Sequence, residues 1–116
     1  MLGYGQEDVT MRLSPEITAD IGRRVYAVPE VREVFLFGSQ ARGQARPDSD
    51  IDLVVVYSGP ATRSAVGVAV RLQLWGLPFG FDLLVLTEEQ WSKLPASRAW
   101  FDRELLREAV RLDAVA

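Results

Sequence analysis

The order of the secondary-structure signals constrains this chain more than any other feature. Three segments rich in β-branched and aromatic residues predict strands, at Val31 to Phe37, Asp50 to Tyr57 and Phe81 to Leu86. A short polar segment joins the first two, whereas Ala61 to Trp75, with the length and composition of a helix, joins the second to the third. A short connection favours an antiparallel pair and a helical crossover favours a parallel pair. The sequence therefore predicts an α/β fold with a small mixed β-sheet flanked by helices.

Capping signals predict the remaining helices. Ser14 followed by Pro15 is typical of a helix N-terminus. Thr87, with Gln90 three residues later, predicts a capping box that opens a short helix. A final helix is predicted to run through Leu112. The third strand is almost entirely apolar, which predicts burial on both of its faces.

The length of 116 residues fits a single domain, in which residues 1–13 lack periodicity and are predicted to form a loosely ordered lead-in. No apolar stretch is long enough to span a bilayer, so no membrane association is expected. The absence of cysteine and of a secretion signal predicts a cytoplasmic location. The net charge of −3 disfavours stable binding to long nucleic acids, which usually requires a basic domain.

The chain contains neither His nor Cys, which excludes several classes of chemistry. Ser-His-Asp triads, thiolate nucleophiles and Cys/His zinc sites are not possible. The side chains that remain for catalysis are mainly carboxylates.

Three of these carboxylates are predicted to meet at one edge of the sheet. Asp50 and Asp52 are two residues apart on a strand, so both point to the same face. The predicted strand directions place the start of the third strand, with Asp82, next to them. Clustered carboxylates repel one another unless a cation compensates them, and Mg²⁺ prefers oxygen ligands. The sequence thus predicts a magnesium site, and two such ions could activate a hydroxyl and stabilise a leaving pyrophosphate.

The segment after the first strand has properties that complement this site. Gly38 would let the backbone approach a ligand closely, and Ser39 could cap a turn whose N–H groups receive phosphate oxygens. Arg42 could add a bidentate phosphate contact. These three residues are the predicted nucleotide-binding residues.

Each signal alone also fits a simpler interpretation. Asp-x-Asp at a strand start often forms a solvated turn, and Gly-Ser after a strand is usually only a turn. Two other loop motifs are excluded by their spacing. A P-loop would need Lys after Gly43, where the chain has Gln44, and an EF-hand starting at Asp48 would need Gly in place of Leu53.

Residues 38–43 (Gly-Ser-Gln-Ala-Arg-Gly) and 49–53 (Ser-Asp-Ile-Asp-Leu) resemble the signature of the nucleotidyltransferase superfamily that includes DNA polymerase beta. More narrowly they resemble the minimal nucleotidyltransferases (MNT proteins), often paired with a HEPN-domain partner. Residues 81–83 match the strand that carries the third carboxylate, and Glu104 to Leu112 resembles the closing helix of the family. The resemblance covers essentially the whole chain.

The resemblance implies a polymerase-beta-like fold in which Asp50, Asp52 and Asp82 bind the metals and Gly38 and Ser39 hold the nucleotide phosphates. It also implies Mg²⁺-dependent transfer of a nucleoside monophosphate, AMP from ATP, to a hydroxyl. The acceptor would be a tyrosine of a HEPN toxin, and the chain would be its antitoxin.

Two other functions stay open at this point. The acceptor could be a small molecule such as an aminoglycoside, or the chain could neutralise a toxin by contact alone. Trp91 and Trp100 could belong to a partner surface, although Trp at helical spacing is more often core.

Overall fold

A computed structural model describes residues 14–38, 50–96 and 100–113 of the chain. The elements are α1 (Pro15–Tyr26), β1 (Val31–Phe37), β2 (Ile51–Tyr57), α2 (Arg63–Leu74), β3 (Phe81–Thr87), α3 (Glu88–Lys93), a 3₁₀ turn (Leu94–Ala96), α4 (Trp100–Glu108) and β4 (Val110–Leu112). The strands form one sheet in the order β3-β2-β1-β4. Strand β1 is antiparallel to β2 and β4, and β2 is parallel to β3. The predicted mixed sheet flanked by helices is confirmed.

The predicted helix starts are also confirmed. The Ser14 hydroxyl accepts a hydrogen bond from the Ile17 amide, which caps α1. Thr87 and Gln90 form the predicted capping box, in which each side chain accepts a hydrogen bond from the other residue's amide.

The prediction of a final helix through Leu112 is wrong. Helix α4 ends at Glu108, and the next residues form β4 against β1. The Tyr26 hydroxyl donates to the Leu112 carbonyl at 2.8 Å and accepts from the Val34 amide at 3.1 Å, which ties α1, β1 and β4 together. Residues 110–112 form a strand despite their helical periodicity, because pairing with β1 satisfies their backbone N–H and C=O groups. The segment that resembles a closing helix is therefore a helix followed by a strand.

Strand β3 also differs from its prediction. It is the outermost strand of the described sheet beside β2, and Val85 is its only buried residue. The strand that is covered on both faces is β2, in which every residue except Asp52 is buried. An apolar composition does not distinguish a central strand from an edge strand covered by helices on either side.

The two faces of the sheet pack against different helices. Odd-numbered residues of β2 belong to the larger core cluster, with residues of α1 and α2, whereas Val54 and Val56 pack with Leu105 of α4. Trp91 is half-buried on this second face and stacks on Phe35, with ring centroids 4.5 Å apart. The core interpretation holds for Trp91, while the side chain of Trp100 lies outside the described part.

Two predictions fall on residues that the structure does not describe, namely the lead-in at 1–13 and the polar connection at 39–49. Within the described residues, the helices are too short or too polar to cross a membrane.

Candidate active site

Two of the predicted catalytic carboxylates lie side by side on neighbouring strands. In the parallel register of β2 and β3, Asp52 is the partner of Asp82, and on its other side Asp52 is opposite Phe37 of β1. Asp52 is half-buried and Asp82 is exposed. The end of β1 therefore adjoins the starts of β2 and β3, as the strand directions predicted.

The alternation of side chains fixes the face on which these carboxylates lie. Asp52 and Asp82 share the parity of Val54 and Leu84, which pack on the face covered by α3 and α4. The carboxylates continue this face beyond its apolar part, toward the edge where the chain enters both strands. The site is thus a polar extension of a packed sheet face.

Gly38 lies directly against Asp52. Its φ of +76° is in the region that L side chains rarely adopt, and a Cβ there would lie 2.5 Å from Oδ2 of Asp52. Gly38 is therefore required both by its backbone conformation and by the room that the Asp52 carboxylate occupies. The sequence predicted a glycine for close approach of a ligand, and the structure shows close approach of a protein carboxylate.

Asp50 has an equivalent relation to Gly80, a residue that was not among the predicted site residues. A Cβ on Gly80 would lie 3.1 Å from Cγ of Asp50 and closer still to Oδ1. The Ile51 amide donates to the Gly80 carbonyl at 2.9 Å, so the pairing of β2 and β3 continues to this glycine. The sequence shows only a glycine two residues before Asp82, and a glycine at that position indicates no more than a turn before a strand.

The three carboxylates share one edge, but they do not form a closed cluster. Among the described residues, no three Asp, Glu, His or Cys side chains are arranged so that they could hold a metal ion. Within the same residues, neither Asp50 nor Asp82 forms an ion pair with a basic side chain. In the described part of the chain, two carboxylates without a basic partner thus flank Asp52, an arrangement that a bound cation would stabilise.

Ser39 and Arg42, the other predicted nucleotide-binding residues, lie outside the described residues.

An open recess of about 610 Å³ lies at the same edge of the sheet but on the face covered by α2, between the end of α2 and the start of β3. Its lining includes Trp75, Phe79 and Gly80, the glycine that contacts Asp50. Arg24 donates to the carbonyl of Trp75 at 3.1 Å, and Arg71 donates to the backbone of β3. Two arginines therefore hold the walls of the recess in place.

Comparison with known proteins identifies the family. The sequence model of the nucleotidyltransferase domain matches residues 19–112, which include all the carboxylates described above. The chain belongs to the nucleotidyltransferase domain family. A comparison with curated protein sequences gives no significant match.

Solved structures support the same fold for this nucleotidyltransferase. A Sulfolobus solfataricus protein assigned as a nucleotidyltransferase is 24% identical, with a TM-score of 0.52 and coverage of 82% of this chain and 74% of that chain. A toxin–antitoxin structure with AMP-PNP is 20% identical, with a TM-score of 0.59 and coverage of 84% and 73%. The tri-AMPylated Shewanella oneidensis HEPN toxin in complex with MNT antitoxin is 15% identical, with a TM-score of 0.52 and coverage of 86% and 72%. These similarities establish the fold.

Proposed function

We propose that this nucleotidyltransferase transfers AMP from ATP to a hydroxyl group in a Mg²⁺-dependent reaction. The observation that carries the proposal is the pairing of Asp52 with Asp82 in the register of β2 and β3. Asp50 lies two residues before Asp52, directly before β2, against Gly80. Carboxylates repel phosphate oxygens on which negative charge accumulates. They therefore suit such a reaction only if cations are held between the carboxylates and the phosphates.

The reaction requires one bond to form and one to break. The acceptor hydroxyl oxygen attacks the α-phosphorus of ATP, and the bond from that phosphorus to the oxygen bridging to the β-phosphate breaks. The hydroxyl proton is lost and pyrophosphate leaves. In this proposal Asp50 and Asp52 hold both metal ions, and Asp82 assists activation of the acceptor.

The donor set fits magnesium. Carboxylate oxygens are hard ligands of the kind that Mg²⁺ prefers, and the missing side chains of Gly38 and Gly80 leave the space that the carboxylates of Asp52 and Asp50 occupy at this edge. When bound, the metal ions would lower the pKa of the attacking hydroxyl and stabilise the leaving pyrophosphate. Gly38, Ser39 and Arg42 are proposed to receive the phosphates.

We further propose that the acceptor is a tyrosine of a HEPN-family toxin, which makes this chain an antitoxin. The support is the fold shared with a toxin–antitoxin structure containing AMP-PNP and with one containing an AMPylated HEPN toxin. A cytoplasmic location is proposed because a chain without cysteine needs no oxidising compartment.

The decisive test is Asp52→Asn, assayed with labelled ATP, Mg²⁺ and a purified HEPN-family protein as acceptor. The substitution keeps the size of the side chain and removes its charge, so transfer should fall by at least about a hundredfold. Mass spectrometry of the HEPN protein reads the result as an added AMP with the unchanged protein and none with the variant. Asp113→Asn, at an exposed aspartate away from the site, is the matched control and should transfer normally.

Three outcomes would contradict the proposal. Transfer that is unaffected by Asp52→Asn or by EDTA would refute the metal site. A HEPN protein that is neutralised equally by both forms without modification would establish a contact-only antitoxin. Modification of an aminoglycoside, with none of the HEPN protein, would identify a small-molecule transferase.

A further inference from the structure

Helix α2 has an apolar inner face and an apolar outer face. Its inner face buries Val66, Val70 and Leu74 in the larger core cluster. A helix that covers a sheet from solvent usually has a polar outer face. The outer face of α2 therefore requires an explanation that the core does not provide.

Four large hydrophobic side chains are exposed in the described part of the chain, and three of them lie on or directly after α2. Val68 is 60% exposed, Leu72 is 67% exposed and Trp75 is 83% exposed. These residues are spaced i, i+4 and i+7, so they form one continuous stripe about 10 Å long on the side opposite the core. We call Val68, Leu72 and Trp75 the outer stripe. Contiguous exposed apolar surface of this kind marks interaction sites.

The charged residues of α2 itself have a single sign. No acidic residue occurs between Asp52 and Asp82, a run of 29 residues that contains two arginines, Arg63 and Arg71. Both arginines are in α2 and both are exposed. On a chain whose net charge is −3, this helix is a local basic and apolar surface. Its electrostatic complement is an acidic partner.

The outer stripe leads toward the candidate active site. Trp75, its last member, lines the recess that also includes Gly80, and Gly80 contacts Asp50. A protein seated on the stripe would consequently reach the edge of the sheet where the carboxylates lie, from the face opposite Asp52 and Asp82.

We propose that the outer stripe docks an amphipathic helix of the acceptor protein, with an apolar ridge flanked by acidic residues. The inference rests on the proposed function, because it assigns the docked helix to the protein that receives the nucleotide. A ridge of side chains at helical spacing packs into the groove between the ridges of another helix. The arginine of α2 nearest the middle of the stripe would meet a carboxylate there.

The same charges disfavour a second copy of this chain as the occupant. Arg71 lies near the midpoint of the outer stripe, between Val68 and Trp75. A symmetric dimer brings the same patch of both copies together, so two α2 helices, each with two arginines and no acidic residue, would face each other. Like charges across an interface oppose association.

The test is isothermal titration of the full chain with two synthetic helical peptides. Both carry leucines at i, i+3 and i+7, one with glutamates beside them and the other with lysines in those positions. The glutamate peptide should bind about tenfold more tightly than the lysine peptide, and amide shifts should map its contact to residues 63–76. Leu72→Ser should weaken binding by about tenfold, since truncation of a central interface side chain has that effect.

Two further variants distinguish specific binding at the outer stripe from non-specific binding to exposed hydrophobic side chains. Val110→Ser removes the fourth exposed hydrophobic side chain, which lies on β4, and should leave peptide binding unchanged. Arg71→Glu reverses the charge next to Leu72 in the middle of the stripe and should make the lysine peptide bind more tightly than the glutamate peptide. Thermal melting of each variant verifies that the fold is retained.

The proposal is overturned if the two peptides bind equally, if neither binds, or if Leu72→Ser has no effect. It is also overturned if sedimentation shows a dimer that Leu72→Ser dissociates, because the stripe would then be covered by a second copy. Titration with MgATP separates this result from the proposed function. Normal nucleotide binding without peptide binding refutes only the docking surface, whereas peptide binding without nucleotide binding refutes only the transferase.

Discussion

The two faces of β2 have different roles, although their residues alternate along one strand. On the odd-numbered face, Ile51, Leu53 and Val55 are at most 1% exposed and lie in the larger core cluster with α1 and α2. On the other face, Val54 is equally buried, but Asp52 is half-buried next to Asp82. A period of two therefore allows one strand to anchor the fold on one side and to present charge on the other.

This division explains how a small chain can hold several carboxylates at one edge of its sheet. Like charges at one edge lower stability, and the odd-numbered face supplies the apolar burial that offsets them. We expect substitutions on the acidic face to change transfer with little change in stability, and substitutions on the odd-numbered face to do the reverse. The following predictions test that separation, starting with the largest expected effect.

Asp82→Asn should abolish most of the transferase activity without unfolding the protein. Asp82 is exposed at the start of β3, so its substitution by an isosteric amide should change the free energy of unfolding by less than about 0.5 kcal/mol. Loss of the assistance to proton removal that we propose for Asp82 should lower the rate by about 10²- to 10⁴-fold. Single-turnover transfer and chemical denaturation measure the two quantities on the same sample. A large drop in stability would show that the acidic face also supports the fold.

The positions of these carboxylates could be predicted from the sequence because they depend on strand direction and on a period of two. The short connection between Phe37 and Asp50 and the helical crossover before Asp82 were sufficient to bring the strand ends together. Such features are local in sequence and survive small errors in the bounds of the elements.

What could not be predicted depends on long-range packing. The strand at 110–112 has apolar residues that also fit a helix, and only the presence of β1 beside it decides its conformation. Gly80 is a similar case, since its role is visible only once Asp50 is known to lie against it. The exposure of the outer stripe could not be predicted, because the sequence of a helix with two apolar faces does not show which face packs against the sheet.

Leu53→Ala should have the largest effect on stability among these changes. Leu53 is 1% exposed in the larger core cluster, and truncation of a buried leucine costs about 2–5 kcal/mol of unfolding free energy. Leu72→Ala removes the same atoms from a side chain that is 67% exposed and should cost less than about 0.5 kcal/mol. Urea denaturation of the pair gives the difference. Equal losses for the two variants would contradict the assignment of the odd-numbered face as the anchor of the fold.

Gly80→Ala should affect both faces, because the added methyl group would collide with the carboxylate of Asp50. The collision must be relieved either by rotation of the exposed Asp50 or by a shift of the backbone that pairs with Ile51, and a backbone shift forced by overpacking costs about 1–3 kcal/mol. If Asp50 rotates, MgATP binding weakens while the melting temperature is nearly unchanged. If the backbone shifts, both the MgATP affinity and the melting temperature fall.

Gly67→Ala is the matched control, since a Cβ there would lie 3.9 Å from the Val85 side chain, an ordinary contact. That control should stabilise α2 by about 0.5–1 kcal/mol and leave MgATP binding unchanged, because alanine loses less backbone entropy than glycine in a helix. Calorimetric titration with MgATP and thermal melting of both variants provide the comparison. Unchanged nucleotide affinity and unchanged stability in Gly80→Ala would show that the contact between Gly80 and Asp50 does not position that carboxylate.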